Sequence, residues 1–159
     1  MRESLRTRAF RWAFNLWPCY RGTGGRVTAI AADWREVRVC LPLNWRTRNY
    51  VGTTFGGSMG GAVDPFFMIM LIKLLGPGCT VWDKAATIRF RKPGRSTLHA
   101  VFRIPEQETV EIRRLLEIEG KLDRVYRVNL EDAQGTVHAE IEKVIQIRKK
   151  AIKQDSQDV

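Results

Sequence analysis

The stretch from Phe55 to Ile72 carries one charged side chain, Asp64, in an otherwise apolar and glycine-rich run. A run of this length could cross a membrane. Its first half is rich in glycine rather than in large apolar residues, however, and Pro65 interrupts its middle. A helix that is apolar nearly all round is also what a sheet wrapped around it requires. We therefore predict a buried central helix over this run and expect no transmembrane segment.

The rest of the chain predicts β-strands that are joined in pairs. Apolar and polar residues alternate in three pairs of segments, 27–32 with 35–43, 86–90 with 98–104, and 126–130 with 137–141. Polar or Pro-Gly turns separate the members of each pair, so we predict three antiparallel hairpins. Apolar residues at helical spacing over 110–119, with Gly120 as a stop, predict one short amphipathic helix. The sequence thus favours an α+β fold in which an antiparallel sheet covers a central hydrophobic helix.

The length and composition predict one main domain. A chain of 159 residues with 44% hydrophobic content can bury a single core. We place this domain at 23–148 and expect a basic, polar and frayed tail at 149–159.

The N-terminal segment, residues 1–22, has a helical pattern of its own. Leu5, Phe10, Ala13 and Trp17 lie near helical spacing, so we expect an amphipathic helix that packs on the domain. The same segment is rich in arginine and poor in acids. A targeting peptide and a helix that lies on a membrane surface therefore stay open as alternatives.

The charge and the cysteines restrict the partners and the location. The formal net charge is +10, from 27 Lys and Arg against 17 Asp and Glu. This excess favours anionic partners such as nucleic acid, anionic lipid or a phosphorylated small molecule. Three cysteines without a CxxC spacing and only two histidines argue against a zinc site and fit a reducing compartment. We expect a cytoplasmic protein that uses no metal and no other cofactor.

The glycines at the start of the apolar run admit several motifs. Residues 56–60 satisfy the G-x-S-x-G pattern of serine hydrolases, but that motif needs a buried strand before it, and 46–49 is a poor buried strand. No Gly-Lys-Ser or Gly-Lys-Thr follows, which argues against a phosphate loop. Glycines at a helix start can instead leave backbone N–H groups open to a carbonyl oxygen that becomes an oxyanion. Asp64 then follows as the single acid on the helix.

The residues around these glycines carry a family resemblance. The stretch NYVGTTFGG at 49–57, followed by Asp64, is similar to the N-x-x-G-x-x-H-G-G-x6-D signature of hotdog-fold acyl-CoA thioesterases, the phenylacetate-pathway type in particular. The resemblance extends over about residues 25–148, and the chain also resembles a bacterial branch of hotdog proteins of uncharacterised function. Phe55 stands where the family pattern has histidine. The resemblance implies the hotdog fold, in which an antiparallel sheet wraps a central helix.

The resemblance also implies a role for each matching residue. Asp64 would activate a water molecule for attack on the thioester carbonyl, or attack that carbonyl directly. Asn49 would orient the water or the substrate. The backbone N–H groups of Gly56 and Gly57 would polarise the carbonyl without any side chain. A purely structural role for Asp64, as a hydrogen-bonding residue in the turn before Pro65, stays open.

Substrate contacts are expected at the histidine position and on the basic strand that follows the helix. The candidates are Phe55, Arg89, Arg91, Lys92 and Arg95. Cations beside an apolar acyl tunnel suit coenzyme A, which has phosphates at one end and the acyl chain at the other. A solvated, charged strand face is the alternative for each cation.

Other polar residues are expected to have structural roles. Asp83 and Lys84 could form a buried ion pair or contact the substrate. His138 falls on the outward face of its strand and His99 on a hairpin, so both are expected at the surface or in packing. Ser58 is expected to start the helix without acting as a nucleophile.

The function that the resemblance implies is that of an acyl-CoA thioesterase, with acyl-CoA or another acyl thioester as its ligand. Such enzymes assemble as dimers or dimers of dimers, with active sites between protomers. A hotdog protein that binds acyl thioesters or regulates without turnover is the main alternative, and Phe55 in place of histidine favours it. A nucleic-acid binder that uses the Arg-rich N-terminus with Trp12 and Trp17 is a third hypothesis. Retention of Asn49 and Asp64 favours the enzyme, so no nucleic-acid partner is expected.

Overall fold

A computed structural model describes residues 1–150 of the chain. Its elements are, in chain order, α1 (Leu5–Leu16), α2 (Pro18–Thr23), β1 (Arg26–Ile30), β2 (Glu36–Leu41), α3 (Gly56–Val63), α4 (Phe66–Leu75), β3 (Cys79–Phe90), β4 (Leu98–Arg103), α5 (Glu106–Glu119), β5 (Lys121–Glu131) and β6 (Val137–Lys149).

The strands form one antiparallel sheet in the order β1-β2-β4-β5-β6-β3. The apolar central run lies against the inner face of this sheet, where Met70 and Leu71 of α4 are fully buried together with Phe102 of β4. Burial alternates along β4 and β6, as expected for strands with one face on the core and one in water. An antiparallel sheet wrapped around a central helix is the hotdog fold, and the predicted α+β fold class is confirmed.

Two of the three predicted hairpins are present, and one prediction is wrong. β1 pairs with β2, and β5 pairs with β6 across the turn at 132–135. β3 and β4 do not form the second hairpin, because β3 pairs with β6 while β4 lies between β2 and β5. The chain therefore crosses from one edge of the sheet to its middle after β3.

The central helix is interrupted in its middle, as Pro65 requires. α3 ends at Val63 and α4 begins at Phe66. The last carbonyl groups of a helix have no partner within it, and the buried hydroxyl of Tyr20 donates a hydrogen bond to one of them, Ala62 O, at 3.2 Å. By length and composition alone Gly56–Leu75 could cross a membrane, and the fold buries half of its most apolar window.

The N-terminal segment forms the predicted helix, but a different face of it packs on the domain. Phe10 and Phe14 of α1 lie against the core. Leu5 and Trp17, which the pattern placed on the packed face, are exposed instead. Ser4 caps the helix through a reciprocal pair of hydrogen bonds in its first turn.

The α1 helix also covers one edge of the sheet. Asn15 Nδ2 donates to Val27 O at 2.9 Å, and Val27 N donates to Asn15 Oδ1 at 2.8 Å. Glu3 Oε1 accepts the N–H of Ile30 at 2.8 Å. These side chains occupy backbone groups of β1 that a neighbouring strand would otherwise use. The β3 edge has no strand neighbour within residues 1–150, so the two edges of the sheet differ.

The ends of the last two predicted elements differ from the expectation. α5 begins at Glu106, earlier than the predicted start at 110, and ends at Glu119, with Gly120 following as a C-cap in the left-handed conformation. β6 includes Arg148 and Lys149, where fraying was expected, and Lys149 N donates to Gly120 O at 2.9 Å. The remainder of the expected tail, 151–159, lies outside the described residues. The division of the chain at 22 and 148 stays a prediction.

Candidate functional site

Asp64 lies at the break in the central helix and on the wall of a large apolar cavity. Its side chain is 59% exposed, and the cavity has a volume of about 720 Å³. The walls are almost entirely apolar and come from α1, α2, the central helix, β3 and β6, including Phe14, Ile88 and Ile141. The single acid of the central helix thus borders an apolar cavity.

A buried lysine that the sequence analysis did not single out fixes this acid. Lys143 lies on the inward face of β6 and is almost fully buried. Its Nζ donates to Asp64 Oδ1 at 2.6 Å and lies 3.2 Å from Asp83 Oδ2. A buried ammonium needs such compensation. One cation therefore holds two carboxylates, and Asp64 Oδ2 has no hydrogen-bond partner among residues 1–150.

Asp83 is the more enclosed of the two acids. Its Oδ1 is buried without a hydrogen-bond partner in the described part of the chain. Burial raises the pKa of Asp83, and the positive charge of Lys143 opposes that rise. Lys143 therefore keeps the pKa of Asp83 lower than burial alone would make it.

The predicted pairing of Asp83 with Lys84 is wrong, because a β-bulge separates them. The register of β3 on β6 shifts between Asp83 and Ala85, so Lys84 is the extra residue. Lys84 Nζ points outward and donates to Asp123 Oδ2 at 2.6 Å. The inward-facing positions of β6 are 139, 141, 143, 145 and 147, and Lys143 is the only charged residue among them. This break in the apolar alternation is the signal that could have identified it.

The start of α3 presents free backbone donors. Phe55 is the N-cap residue, and the first intrahelical N–H groups, those of Gly56 and Gly57, have no backbone acceptor within residues 1–150. A Cβ atom at Gly57 would lie 2.4 Å from the ring of Phe55, and one at Gly56 would lie 2.9 Å from the ring of Phe90. The two glycines therefore let aromatic rings approach the helix start closely.

Asn49 lies near this helix start but is held by its own loop. Its Oδ1 accepts the N–H of Thr53 at 2.9 Å, and its Nδ2 donates to Thr53 Oγ1 at 2.9 Å. Asn49 and Gly56 line a second cavity, of about 370 Å³, together with Phe90, Arg91 and Lys92. Both ends of the Asn49 amide are thus engaged locally.

The predicted catalytic residues fall into two groups within one chain. Asn49 and Gly56 lie at the second cavity, whereas Asp64 lies at the large one. Asp64 follows Gly56 by eight residues, which corresponds to about 12 Å along an α-helix. One chain alone therefore does not bring its acid and its helix start to the same carbonyl group.

The cations predicted to bind the substrate differ in whether they already form an ion pair. Arg91 donates to Glu140 at 2.6 Å, and Arg89 lies opposite Glu140 in the strand register. Lys92 and Arg95 are exposed and have no ion pair in residues 1–150. Of this set, Arg89, Lys92 and Arg95 have no ion pair within residues 1–150 and can bind an anion without breaking one.

His138 is buried, although the pattern placed it on the outward face. Its ring contacts Pro93 O at 3.1 Å and Asp132 Oδ2 at 3.0 Å. The hydrogen bond with His138 is the main cause that lowers the pKa of Asp132. His138 O accepts the N–H groups of Arg91 and Lys92, so this residue anchors the basic loop to the sheet. His99 is exposed, as expected, and Ser58 is buried in the first turn of α3.

Comparisons with known proteins agree with this fold. The family model described as "Domain of unknown function (DUF4442)" matches residues 6–147. No curated protein sequence matches the chain. A probable thioesterase of unknown function from Pseudomonas aeruginosa, PA5026, superimposes with a TM-score of 0.80 at 20% identity, over 93% of this chain and 99% of that one.

Two further solved structures are similar over nearly their whole lengths. The thioesterase HI1161 from Haemophilus influenzae has a TM-score of 0.68 at 11% identity, over 96% of each chain. The PaaI protein from the phenylacetic acid degradation operon of E. coli has a TM-score of 0.61 at 16% identity, over 92% of each chain. At these identities the likeness shows the fold, which is the hotdog fold of thioesterases.

Proposed function

The chain belongs to the DUF4442 family and has the hotdog fold, and on that premise we propose that it hydrolyses acyl thioesters such as acyl-CoA. The observation that carries the proposal is the placement of Asp64, a half-exposed carboxylate on the wall of an apolar cavity of about 720 Å³. A cavity of this size lies within the usual range for small-molecule ligands. The acyl chain of a thioester could pack against the apolar wall while its polar thioester group lies beside Asp64.

Asp64 supplies the base in this reaction. Lys143 holds Asp64 Oδ1, which leaves Oδ2 to take a proton from a water molecule. The water oxygen bonds to the thioester carbon, and the carbonyl oxygen becomes an oxyanion. When the C–S bond breaks, the sulfur leaves with the electron pair and takes up the proton, so the products are a carboxylic acid and a thiol. Direct attack by Asp64 is the other possible course, through an anhydride that water then hydrolyses.

The oxyanion needs donors, and the helix start of a second chain supplies them in our proposal. The N–H groups of Gly56 and Gly57 have no acceptor among residues 1–150, but Gly56 precedes the acid by about 12 Å along the same helix. β3 offers an unpaired edge, whereas α1 covers the edge of β1. Pairing of two β3 strands around a two-fold axis would bring the helix start of one chain toward the acid of the other. The assembly that we propose is a dimer, or a dimer of such dimers.

The phosphates of coenzyme A are assigned to the basic loop after β3. Lys92 and Arg95 are exposed and without ion pairs in the described residues, and Arg91 could join them by releasing Glu140. Charge-assisted hydrogen bonds from such side chains suit phosphate groups. Lys92 also lines the cavity beside Gly56, which supports a path from the phosphates to the helix start.

A binding protein without turnover is the second candidate. Two observations favour it: Phe55 occupies the position where the family resemblance has histidine, and Asp64 is engaged in an ion pair with Lys143. Such a protein would bind acyl-CoA and release no thiol.

The proposal is tested by thiol release from a panel of short, long and aromatic acyl-CoAs. We expect turnover by the parent chain and a loss of about 10²- to 10⁴-fold in Asp64→Asn, because asparagine keeps the shape of aspartate but takes no proton from water. Ser58→Ala is the matched control on the same helix and should retain turnover. Turnover of Asp64→Asn within a few-fold of the parent would make Asp64 structural. Binding of acyl-CoA by the parent without thiol release from any member would select the second candidate.

A further inference from the structure

Helix α1 has a second apolar face that points away from the core. Leu5, Ala9, Trp12 and Leu16 follow one another at helical spacing along this face, and we name them the outer stripe. Leu5, Trp12 and Leu16 are 76%, 60% and 65% exposed. The opposite face of α1 already packs on the core, so folding of the described chain does not use the outer stripe. Large apolar side chains that are exposed in one row mark an interaction surface.

Cations flank the outer stripe. Arg6 and Arg8 lie on α1 to either side of the outer stripe, are exposed, and form no ion pair in the part of the chain that the structure describes. The one acid of the N-terminal segment, Glu3, is already paired with Arg11 at 3.1 Å. The face that carries the outer stripe is therefore apolar along its centre, positive at its sides and free of uncompensated negative charge.

This combination selects one kind of partner. A helix with tryptophan and leucine on one face and arginine beside them lies in the interface of a bilayer, with its apolar side chains at the acyl boundary and its cations at anionic headgroups. Tryptophan prefers this depth. Nucleic acid would use the arginines and stack on Trp12, but it offers nothing to Leu5 and Leu16. Leu5 and Leu16 therefore favour an anionic bilayer over nucleic acid as the partner.

We propose that α1 docks the protein on the surface of an anionic lipid bilayer, with the outer stripe in the interface and the flanking arginines on lipid phosphates. The cytoplasmic location expected from the cysteines would make this the inner leaflet. Docking needs no turnover and does not rest on thioester hydrolysis. α1 covers the β1 edge of the sheet, so the dimer contact that we propose at β3 does not require the outer stripe.

Docking through α1 would bring the bilayer close to the large cavity. Ala13 of α1 lines that cavity, as does Trp17, which directly follows Leu16 of the outer stripe at the end of the helix. A bilayer that contacts the outer stripe would therefore lie close to the rim of the cavity. Acyl chains that partition into membranes would reach the cavity without crossing water.

The test is co-sedimentation of the full chain with vesicles of phosphatidylcholine alone and of phosphatidylcholine with phosphatidylglycerol. We expect binding to the anionic vesicles that weakens as salt is raised, because screening reduces the attraction of exposed charges. The pair Arg6→Gln and Arg8→Gln should lower the partition coefficient by about tenfold or more, since each arginine near an anionic surface contributes about fivefold.

The apolar contribution is tested by a triple variant, Leu5→Ser, Trp12→Ser and Leu16→Ser. Its matched control replaces three apolar residues that are similarly exposed elsewhere, Val110→Ser, Ile118→Ser and Val125→Ser. We expect the outer-stripe variant to lose binding to anionic vesicles by about tenfold or more and the control to keep it. Absence of parent binding, or equal binding by both triple variants, would overturn the proposal. Dissociation of the parent oligomer by the outer-stripe variant would also overturn it, because a second copy would then cover this face.

Discussion

Lys143 lies between Asp64 and Asp83 and is almost fully buried. The side chain has two effects: it fixes one oxygen of the acid on the cavity wall, and it compensates the more enclosed acid beside it. Removal of one partner of a buried ion pair is more damaging than removal of the whole pair, because the remaining charge is left without compensation.

We predict that Lys143→Met destabilises the fold by about 2 to 3 kcal/mol at neutral pH, less than the usual 3 to 5 for a fully buried pair because Asp64 is largely exposed. The matched control is Lys84→Met, which removes a partly exposed pair with Asp123 and should cost about 1 kcal/mol or less. Urea unfolding of both variants measures the two values. An equal effect of the two substitutions would contradict the role assigned to Lys143.

The pH dependence of Lys143→Met follows from Asp83. Burial already raises the pKa of Asp83, and loss of the cation raises it further. When folding raises the pKa of a group, its contribution to stability is fully present below the unfolded pKa, which is about 4 for an aspartate. That contribution is lost as the pH rises through the folded pKa. The deficit of Lys143→Met relative to the parent should therefore be small near pH 4 and grow toward pH 7. A deficit that stays constant over this range would contradict the assignment.

The sequence predicts part of this site and misses part of it. Asp64 is found because it is the only acid in a long apolar run, and a single acid on a central helix is unusual enough to be noticed. Lys143 is missed because it lies far from Asp64 along the chain, and only strand pairing brings β6 beside the helix. Asn49 matches a motif, yet its amide closes a loop with Thr53, and a motif does not show which way a side chain turns.

At the scale of elements, α1 protects one edge of the sheet. Val27 is almost fully buried, and both of its backbone groups bond to the side chain of Asn15. A single amide thus takes the place of a neighbouring strand at that residue.

We predict that Asn15→Ala destabilises the fold by about 1 to 3 kcal/mol, because it leaves a buried N–H and a buried C=O without partners. Asn129→Ala, which removes an exposed contact with Glu131, is the control and should change the stability by about 0.5 kcal/mol or less. Chemical denaturation compares the two. Equal midpoints for both variants would show that water satisfies the β1 edge without Asn15.

The hairpins show where sequence patterns suffice for elements and where they do not. β5 and β6 are joined by a five-residue loop, 132–136, so a local pattern is enough to pair them. β3 and β4 also alternate and are also joined by a short loop, but β3 is paired at the far edge of the sheet. The alternation of apolar and polar residues predicts which face of the sheet each residue lies on. It does not predict which strands pair with each other. The packed face of α1 was mistaken for a related reason, since this helix has apolar residues on two sides.

At the scale of the whole molecule, the function that we propose places the two groups of candidate catalytic residues on two different chains. The acid of one helix and the free N–H groups at its start lie about 12 Å apart. The β3 edge is unpaired in residues 1–150, while the β1 edge is covered. A two-fold assembly through β3 would create two equal composite sites, each with the acid of one chain and the helix start of the other.

Two variants separate these contributions. Asp64→Asn removes the acid. Gly56→Pro removes one backbone donor, and proline is accepted at the first helical position after a residue with the extended conformation of Phe55. The new Cβ would lie 2.9 Å from the ring of Phe90, so this exposed ring must move aside, and circular dichroism of the variant checks that the fold is kept. Loss of one oxyanion donor typically lowers turnover by about 10²- to 10³-fold. Each variant alone should therefore be nearly inactive.

The measurement that tests the account most directly is thiol release from acyl-CoA by a mixture of Asp64→Asn and Gly56→Pro chains that have exchanged subunits. A mixed dimer contains one composite site with both the intact acid and the intact helix start, so an equal mixture should recover about a quarter of the parent turnover. Each variant alone should stay near its own low level. A mixture that is no more active than the two separate variants, although light scattering shows mixed dimers and the parent is active, would contradict the proposed site.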